Sequence, residues 1–207
     1  NKFKNKLLIS NPLVRKKYYV KNSEEKIDKL FTLMIIGGSQ GAKIFDEIIH
    51  EVIVKISTIN SLRVIHQTNQ KNIDFLKNYY SENKIENSVF SFDQNLNIFL
   101  SQSDLCITRA GASSLAELSI LNIPFIAIPL PTSKDNHQLE NANFYKDNDC
   151  CWIIEQKFFE EKIEEILKDI LINKRDYLKK KENLKKLNYQ NTWINVNQKI
   201  LKILNEN

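Results

Sequence analysis

With 207 residues, 42% hydrophobic and 27% charged, the chain can bury one large or two small cores and is not a disordered tail. Its longest uncharged apolar stretch, residues 120–131, holds three prolines and an asparagine and is too short and broken to span a bilayer, and no signal-peptide pattern is expected at the start. The net charge of +5 divides into +6 over residues 1–29, −7 over 30–173 and +6 over 174–207.

In chain order, residues 1–23 are polar and basic and read as a linker or the start of the domain; 24–207 read as one domain. The sequence starts at Asn1 rather than Met, so we expect a piece of a longer protein. Residues 32–36 are an apolar run stopped by Gly37-Gly38, which predicts a buried strand. Apolar residues at 44, 45, 48, 49, 52, 53 and 56 predict a helix over 42–57. A strand at 62–65, an amphipathic helix at 70–81, a strand at 89–92 and a short helix at 95–102 follow. Next come a strand at 105–108, a helix at 113–121, a strand at 125–128, a helix at 136–148 and a strand at 151–154. A helical tail occupies 157–205.

Strands that alternate with helices, and are continuously apolar rather than alternating, predict a doubly wound, Rossmann-like α/β fold with a parallel sheet covered on both faces. Such sheets bind ligands beyond the carboxyl ends of the strands, where the strand order reverses. Three polar motifs lie in loops at that edge. Gly37-Gly38-Ser39-Gln40-Gly41-Ala42 holds three of the four glycines, as a backbone that approaches a phosphate requires, although an ordinary glycine turn has the same composition. Arg109-Ala110-Gly111-Ala112-Ser113-Ser114-Leu115-Ala116-Glu117 places two serines at a helix start and a carboxylate one turn in; Ser114 and Glu117 also fit a capping box. Asp135-Asn136-His137-Gln138 is dense in groups suited to sugar hydroxyls, or is an N-cap at Asp135 with solvated neighbours.

A nicotinamide dinucleotide is not expected. The glycine spacing differs from GxGxxG, and the second strand ends in His66-Gln67 without the acid that holds a ribose. No Gly-Lys-Ser/Thr follows, so this is not a Walker loop. Three cysteines, two of them adjacent, make no disulfide framework, and three histidines without a CxxC give no zinc site; a reducing compartment fits. No metal or cofactor is therefore expected. The basic ends suit an anionic partner or simply a lysine-rich surface, and 26 Lys against four Arg and 25 Asn follow compositional bias more than phosphate reading.

In order and spacing, GGSQGA, RAGASSLAE and PLPTSKDNHQ with Asn141-Ala142 resemble the C-terminal half of the MurG family. These are UDP-N-acetylglucosamine:lipid-linked muramyl-pentapeptide transferases of bacterial peptidoglycan synthesis, with a two-domain GT-B fold. The resemblance runs from Asn11 to the end of the chain, and it implies that this half holds UDP-N-acetylglucosamine. It assigns Gly37, Gly38 and Gly41 to the phosphate loop and Ser39 to the phosphate or sugar. It places Ala112, Ser113, Ser114 and Leu115, with Ala116, along the diphosphate and base, and Glu117 on the ribose. Asp93 is expected to offer backbone bonds to uracil, and Gln138, with His137 or Asp135 beside it, to hold sugar hydroxyls. The family's NPxR turn reads Asn11-Pro12-Leu13-Val14-Arg15, one residue longer, which makes Arg15 its arginine. The HQxG turn reads His66-Gln67-Thr68-Asn69, and a left-handed Asn69 is expected to replace the glycine.

The implied reaction is an inverting transfer in which the acceptor's 4-hydroxyl attacks the anomeric carbon and UDP leaves. Helix N-termini at Ser113 and the Ser39 loop meet the charge that develops on the diphosphate. No base is required from this half, with His66 and His137 the only alternatives. The resemblance further implies a lipid-linked acceptor bound by an N-terminal half not in this sequence, and a peripheral location on the cytoplasmic face of the inner membrane. Two other readings remain: another UDP-sugar GT-B enzyme, such as a glycolipid transferase or the catalytic subunit of a two-chain transferase, and a basic nucleic-acid module. No RNA motif supports the last, so no nucleic-acid partner is expected.

Overall fold

The apolar run before Gly37 forms strand β1 (Phe31–Ile36) near the middle of a six-stranded sheet. The structure is a computed structural model that describes residues 14–19, 30–37, 43–188 and 193–205. After β1 come α1 (Lys43–Ser57), β2 (Leu62–Gln67), α2 (Ile73–Glu82), β3 (Glu86–Phe90) and α3 (Leu96–Ser101). They are followed by β4 (Leu105–Thr108), α4 (Ala112–Ile120), β5 (Phe125–Ala127), α5 (His137–Asp147) and β6 (Cys151–Ile153), then α6 (Phe159–Ile172), α7 (Lys174–Asn188) and α8 (Trp193–Asn205). Most elements lie within a few residues of the sequence reading, and two differences stand out. The third strand begins three residues earlier, and the described part of the tail forms three helices, with a break at Asn173 between the first two.

The order is β3-β2-β1-β4-β5-β6, with every pairing parallel. The chain winds outward from β1 to β3, then returns to place β4 on the other side of β1. The switch point therefore falls between β1 and β4, where Ile36 pairs with Thr108. Successive β1 residues feed opposite cores, which explains their uninterrupted apolar character. Leu33 and Ile35 pack with Phe45, Ile49 and Ile53 of α1 and Phe159 and Ile163 of α6. Met34 and Ile36 join Leu115 and Leu118 of α4, Tyr145 of α5 and Leu184 of α7. Val14 and Tyr18, from ahead of the sheet, are buried in this second core.

Three helices end in one way, and glycine scarcity shapes how. After α2, α4 and α5 the chain turns at Lys84, Asn122 and Asp149, with φ of 58°, 56° and 52°. The next N–H reaches back five residues in each case: Ile85 to Tyr80 O at 2.9 Å, Ile123 to Leu118 O at 3.0 Å and Cys150 to Tyr145 O at 2.8 Å. This is the Schellman closure, with a buried apolar residue behind the turn. Glycine would serve best there, but the chain has four, and none is used for this purpose.

Candidate functional site

The carboxyl ends of β1, β4 and β5 open onto one edge, and the polar motifs collect there. Gly37 ends β1 and is buried, whereas Gly38, Ser39 and Gly41 lie outside the described residues. After β4, Ala110 and Gly111 turn the chain into α4. Gly111 is the N-cap (φ −69°, ψ 135°), and no side chain caps the helix. Leu115 N–H donates to Gly111 O at 3.0 Å, so the N–H groups of Ala112, Ser113 and Ser114 are the helix's orphan donors. Ala112 and Ser113 are exposed and Ser114 is half-buried at this mouth. The side chains of Leu115 and Ala116 are buried in the core, and the Leu115 N–H is spent on Gly111 O.

Glu117 is not part of a capping box. With Gly111 as N-cap, Ser114 is the third helical residue and Glu117 the sixth, too deep to reach the helix start. Its carboxylate instead takes a hydrogen bond from Arg15 Nη2 at 2.9 Å, and its side chain is 10% exposed against 65% for Arg15. The same Nη2 donates to Tyr18 Oη at 3.1 Å. The hydrogen bond to Glu117 and its charge raise the Arg15 guanidinium above its ordinary value, so it is charged throughout. Lys17, from the same turn, donates to Gln94 O at 2.7 Å. One short segment ahead of the sheet thereby touches both α4 and the loop after β3.

The third motif acts on the second. Gln138 Oε1 accepts from Ala110 N at 3.2 Å and Leu130 N at 3.0 Å. Asn141 Nδ2 donates to Ala110 O at 3.0 Å. The first turn of α5 thus grips the β4–α4 turn and the loop after β5. Because the Gln138 oxygen is taken, its amide N–H₂ is the end offered to a ligand. Asp135 and Asn136 are both left-handed, with φ of 51° and 53°, and Asn136 rather than Asp135 is the N-cap of α5. His137 is exposed, with Nδ1 2.7 Å from Lys134 O. A carbonyl only accepts, so Nδ1 carries the proton and Nε2 is the free acceptor.

Asp93 is half-buried in the loop after β3, and its Oδ1 accepts from Asn95 N at 2.6 Å. Beside it Phe92 is 76% exposed, the most exposed large apolar side chain among the described residues. The sequence motifs passed over it because no spacing rule marks it. Arg109, from the second motif, is half-buried. It donates to Ile128 O at 3.2 Å and lies 5.1 Å from the centroid of Phe45, which ties β5 and α1 to the end of β4.

The turn after β2 departs from expectation. Asn69 is extended (φ −80°, ψ 158°), not left-handed, and its side chain accepts from Lys71 N. Asn69 Nδ2 also donates to Asp46 Oδ2 at 3.3 Å, beside Thr68 Oγ1 and Asn72 Nδ2, each at 2.7 Å. Side-chain bonds to one carboxylate on α1 therefore shape this turn, and no special φ is needed. His66 lies 3.3 Å from Asp46 Oδ1 and 2.9 Å from Tyr80 Oη, wholly buried. It cannot reach a substrate, so it is no candidate base. Burial pushes its pKa below the ordinary imidazole value despite Asp46. For Asp46, burial acts upward, but the neighbouring His66 and the hydrogen bonds from Thr68 and Asn72 outweigh it and leave the carboxyl below its ordinary value.

Among the described residues, no group of three or more His, Cys, Asp or Glu side chains is arranged to hold a metal, and no helix is long and apolar enough to cross a membrane. Three similarities bear on the site. The chain is 45% identical over its full length to a Pelagibacter ubique protein named UDP-N-acetylglucosamine–N-acetylmuramyl-(pentapeptide) pyrophosphoryl-undecaprenol N-acetylglucosamine transferase, of which it covers 58%. A Rickettsia bellii protein of the same name is 35% identical over 88% of the chain and 54% of the relative. The chain thus spans somewhat over half the length of these relatives. The crystal structure of Acinetobacter baumannii MurG superposes with a TM-score of 0.69 at 25% identity, over 84% of this chain and 49% of that one. The sheet is that of a GT-B glycosyltransferase C-terminal domain. The profile described as "Glycosyltransferase family 28 C-terminal domain" matches residues 32–192, from β1 to beyond α7, and the chain belongs to that family.

Proposed function

We propose that this domain binds UDP-N-acetylglucosamine across the carboxyl ends of β1, β4 and β5, as the donor half of an inverting transferase. The observation that carries the reading is a convergence at the switch point. The uncapped start of α4, the Glu117 carboxylate and the Gln138 amide face one edge, and α5 holds the turn between them. The orphan N–H groups of Ala112, Ser113 and Ser114 suit a diphosphate, and Ser39 with Gly37, Gly38 and Gly41 would flank it. Glu117 accepts from the ribose hydroxyls, the 93–95 loop takes the base, and Gln138 with His137 takes the sugar. Arg15 is close enough to Glu117 to serve the same nucleotide.

On this reading the acceptor is the lipid-linked muramyl-pentapeptide named for the relatives, bound through a region this chain does not contain. GlcNAc passes to its 4-hydroxyl on the cytoplasmic face of the inner membrane. As UDP leaves, charge grows on the diphosphate, and fixed helix dipoles stabilise it without rearrangement. No cofactor enters.

Calorimetry on the 207-residue chain tests the reading. UDP and UDP-N-acetylglucosamine are expected to bind and NADH not to. Glu117→Ala is expected to weaken UDP by roughly 1.5–3 kcal/mol, the range for hydrogen bonds to a charged group, or roughly ten- to hundredfold. Equal affinity of wild type and variant for UDP and 2′-deoxy-UDP would remove Glu117 from the donor site. NADH binding that UDP does not compete would sink the reading itself.

A further inference from the structure

We infer that Tyr18 is a positioning residue of the nucleotide site: its buried hydroxyl steadies the Arg15 guanidinium against Glu117 and thereby aims the carboxylate at the ribose. The inference rests on the proposed role of Glu117 as ribose acceptor.

The three groups differ in freedom. Arg15 is a long surface side chain, 65% exposed, which alone would sample many rotamers. Glu117 hangs from a helix facing the core and is 10% exposed at its side chain. Tyr18 is 2% exposed, within the core cluster that contains Val14, Leu115 and Leu118. Its ring cannot move without disturbing α4, and so its hydroxyl is the fixed point. A single nitrogen, Arg15 Nη2, spans the gap at 3.1 Å from Tyr18 Oη and 2.9 Å from Glu117 Oε1. The 3-10 turn that carries both residues, closed by Tyr18 N–H to Arg15 O at 3.0 Å, puts the two side chains on one side. The guanidinium carbon lies 5.4 Å from the Tyr18 ring centroid, which adds a second hold.

The phenol is chemically suited to this position. Burial first, then the Glu117 charge, push its pKa up to about 12, so it is neutral and accepts from Arg15 Nη2. Core packing needs only the ring, which phenylalanine would supply equally. The hydroxyl adds nothing to the apolar core, and its hydrogen bond is with the guanidinium that holds Glu117.

The test uses Tyr18→Phe, Arg15→Ala and Glu117→Ala in the full chain, with UDP and 2′-deoxy-UDP measured by calorimetry and folding by thermal melts. Tyr18→Phe is expected to melt close to wild type and to lose roughly two- to tenfold in UDP affinity, the scale of one ordinary hydrogen bond. The readout that packing alone would not move is the ratio of UDP to 2′-deoxy-UDP affinity, which is expected to fall in Tyr18→Phe. Adding Tyr18→Phe to Arg15→Ala should cost no further discrimination, because Tyr18 acts through Arg15. An unchanged ratio in Tyr18→Phe, while Glu117→Ala loses it, overturns the inference and leaves the reading of Glu117 standing. An unchanged ratio in Glu117→Ala overturns both. Should Tyr18→Phe fail to fold, the exposed Arg15→Ala decides: an unaltered ratio there breaks the chain from Tyr18 to Glu117.

Discussion

Gln138 turns its side-chain oxygen onto the backbone N–H of Ala110, 3.2 Å away, so the residue expected to hold the sugar also builds the turn expected to hold the diphosphate. The same oxygen accepts from Leu130 N at 3.0 Å. Gln138→Ala removes the acceptor for two N–H groups in partly buried surroundings. A stability loss of about 1–3 kcal/mol is expected, measured by urea unfolding. Affinity for UDP-N-acetylglucosamine should fall more than affinity for UDP. If both fall equally, Gln138 is a clamp on the turn and does not touch the sugar.

Gly111 separates fold from function more cleanly. Its φ of −69° and ψ of 135° suit any residue, and an added Cβ would meet only Ser114 Oγ at 3.9 Å, an ordinary contact. The protein itself has no need of glycine here. Gly111→Ala is expected to change stability by less than about 1 kcal/mol, because the entropy gain in the unfolded chain opposes alanine's poorer N-cap preference, yet to weaken UDP, because the methyl group crowds the approach to the start of α4. Unchanged UDP affinity would place the diphosphate elsewhere.

Lys84 holds a left-handed conformation at φ 58° to close α2. The conformation costs a residue with a Cβ about 1–2 kcal/mol, a penalty glycine avoids. Lys84→Gly should therefore raise the unfolding free energy by about 1 kcal/mol after the entropy of glycine is subtracted, read as a higher urea midpoint. UDP affinity should not move, since this turn lies at the amino end of β3. A lower midpoint would mean that the lysine side chain stabilises the turn by more than its strain.

The buried His66–Asp46 pair makes stability fall with acidity. The folded pKa of His66 lies below its ordinary 6.5, so the unfolded chain binds the proton first. Stability is full above about pH 6.5 and declines as pH falls toward the folded value. Asp46, shifted below its ordinary 3.8, adds a second loss with the same sign as pH falls further through that region. Urea midpoints at pH 7, 6 and 5 should decline for wild type. His66→Gln should start lower, for want of the packed ring, but close the gap as pH falls. Parallel pH profiles would show that His66 does not titrate on unfolding.

Much was legible in the sequence where local physics is decisive. The apolar runs at β1 and β4, short and stopped by turn residues, read as strands covered on both faces, and the spacing over α1 as a one-sided helix, because burial follows from period. Strand–helix alternation then placed the glycine loop, the RAGASS turn and the DNHQ turn at one edge before any contact was known.

Long-range contacts decided the rest. Arg15 and Glu117 are 102 residues apart in sequence, and only the burial of Val14 and Tyr18 brings them together. Asn69 looked like a glycine substitute because sequence shows conformational preference. Asp46, more than twenty residues earlier, accepts its side chain and makes the left-handed turn unnecessary. Leu115 and Ala116 shared a motif with Ser113 and Ser114, yet a helix turns about 100° per residue and buries them. The sequence alone determined the fold class and the edge at which to look, since both follow from local periodicity. Which side chains meet at that edge was set by tertiary packing, because hydrogen bonds join groups by distance in space and not by place in the chain.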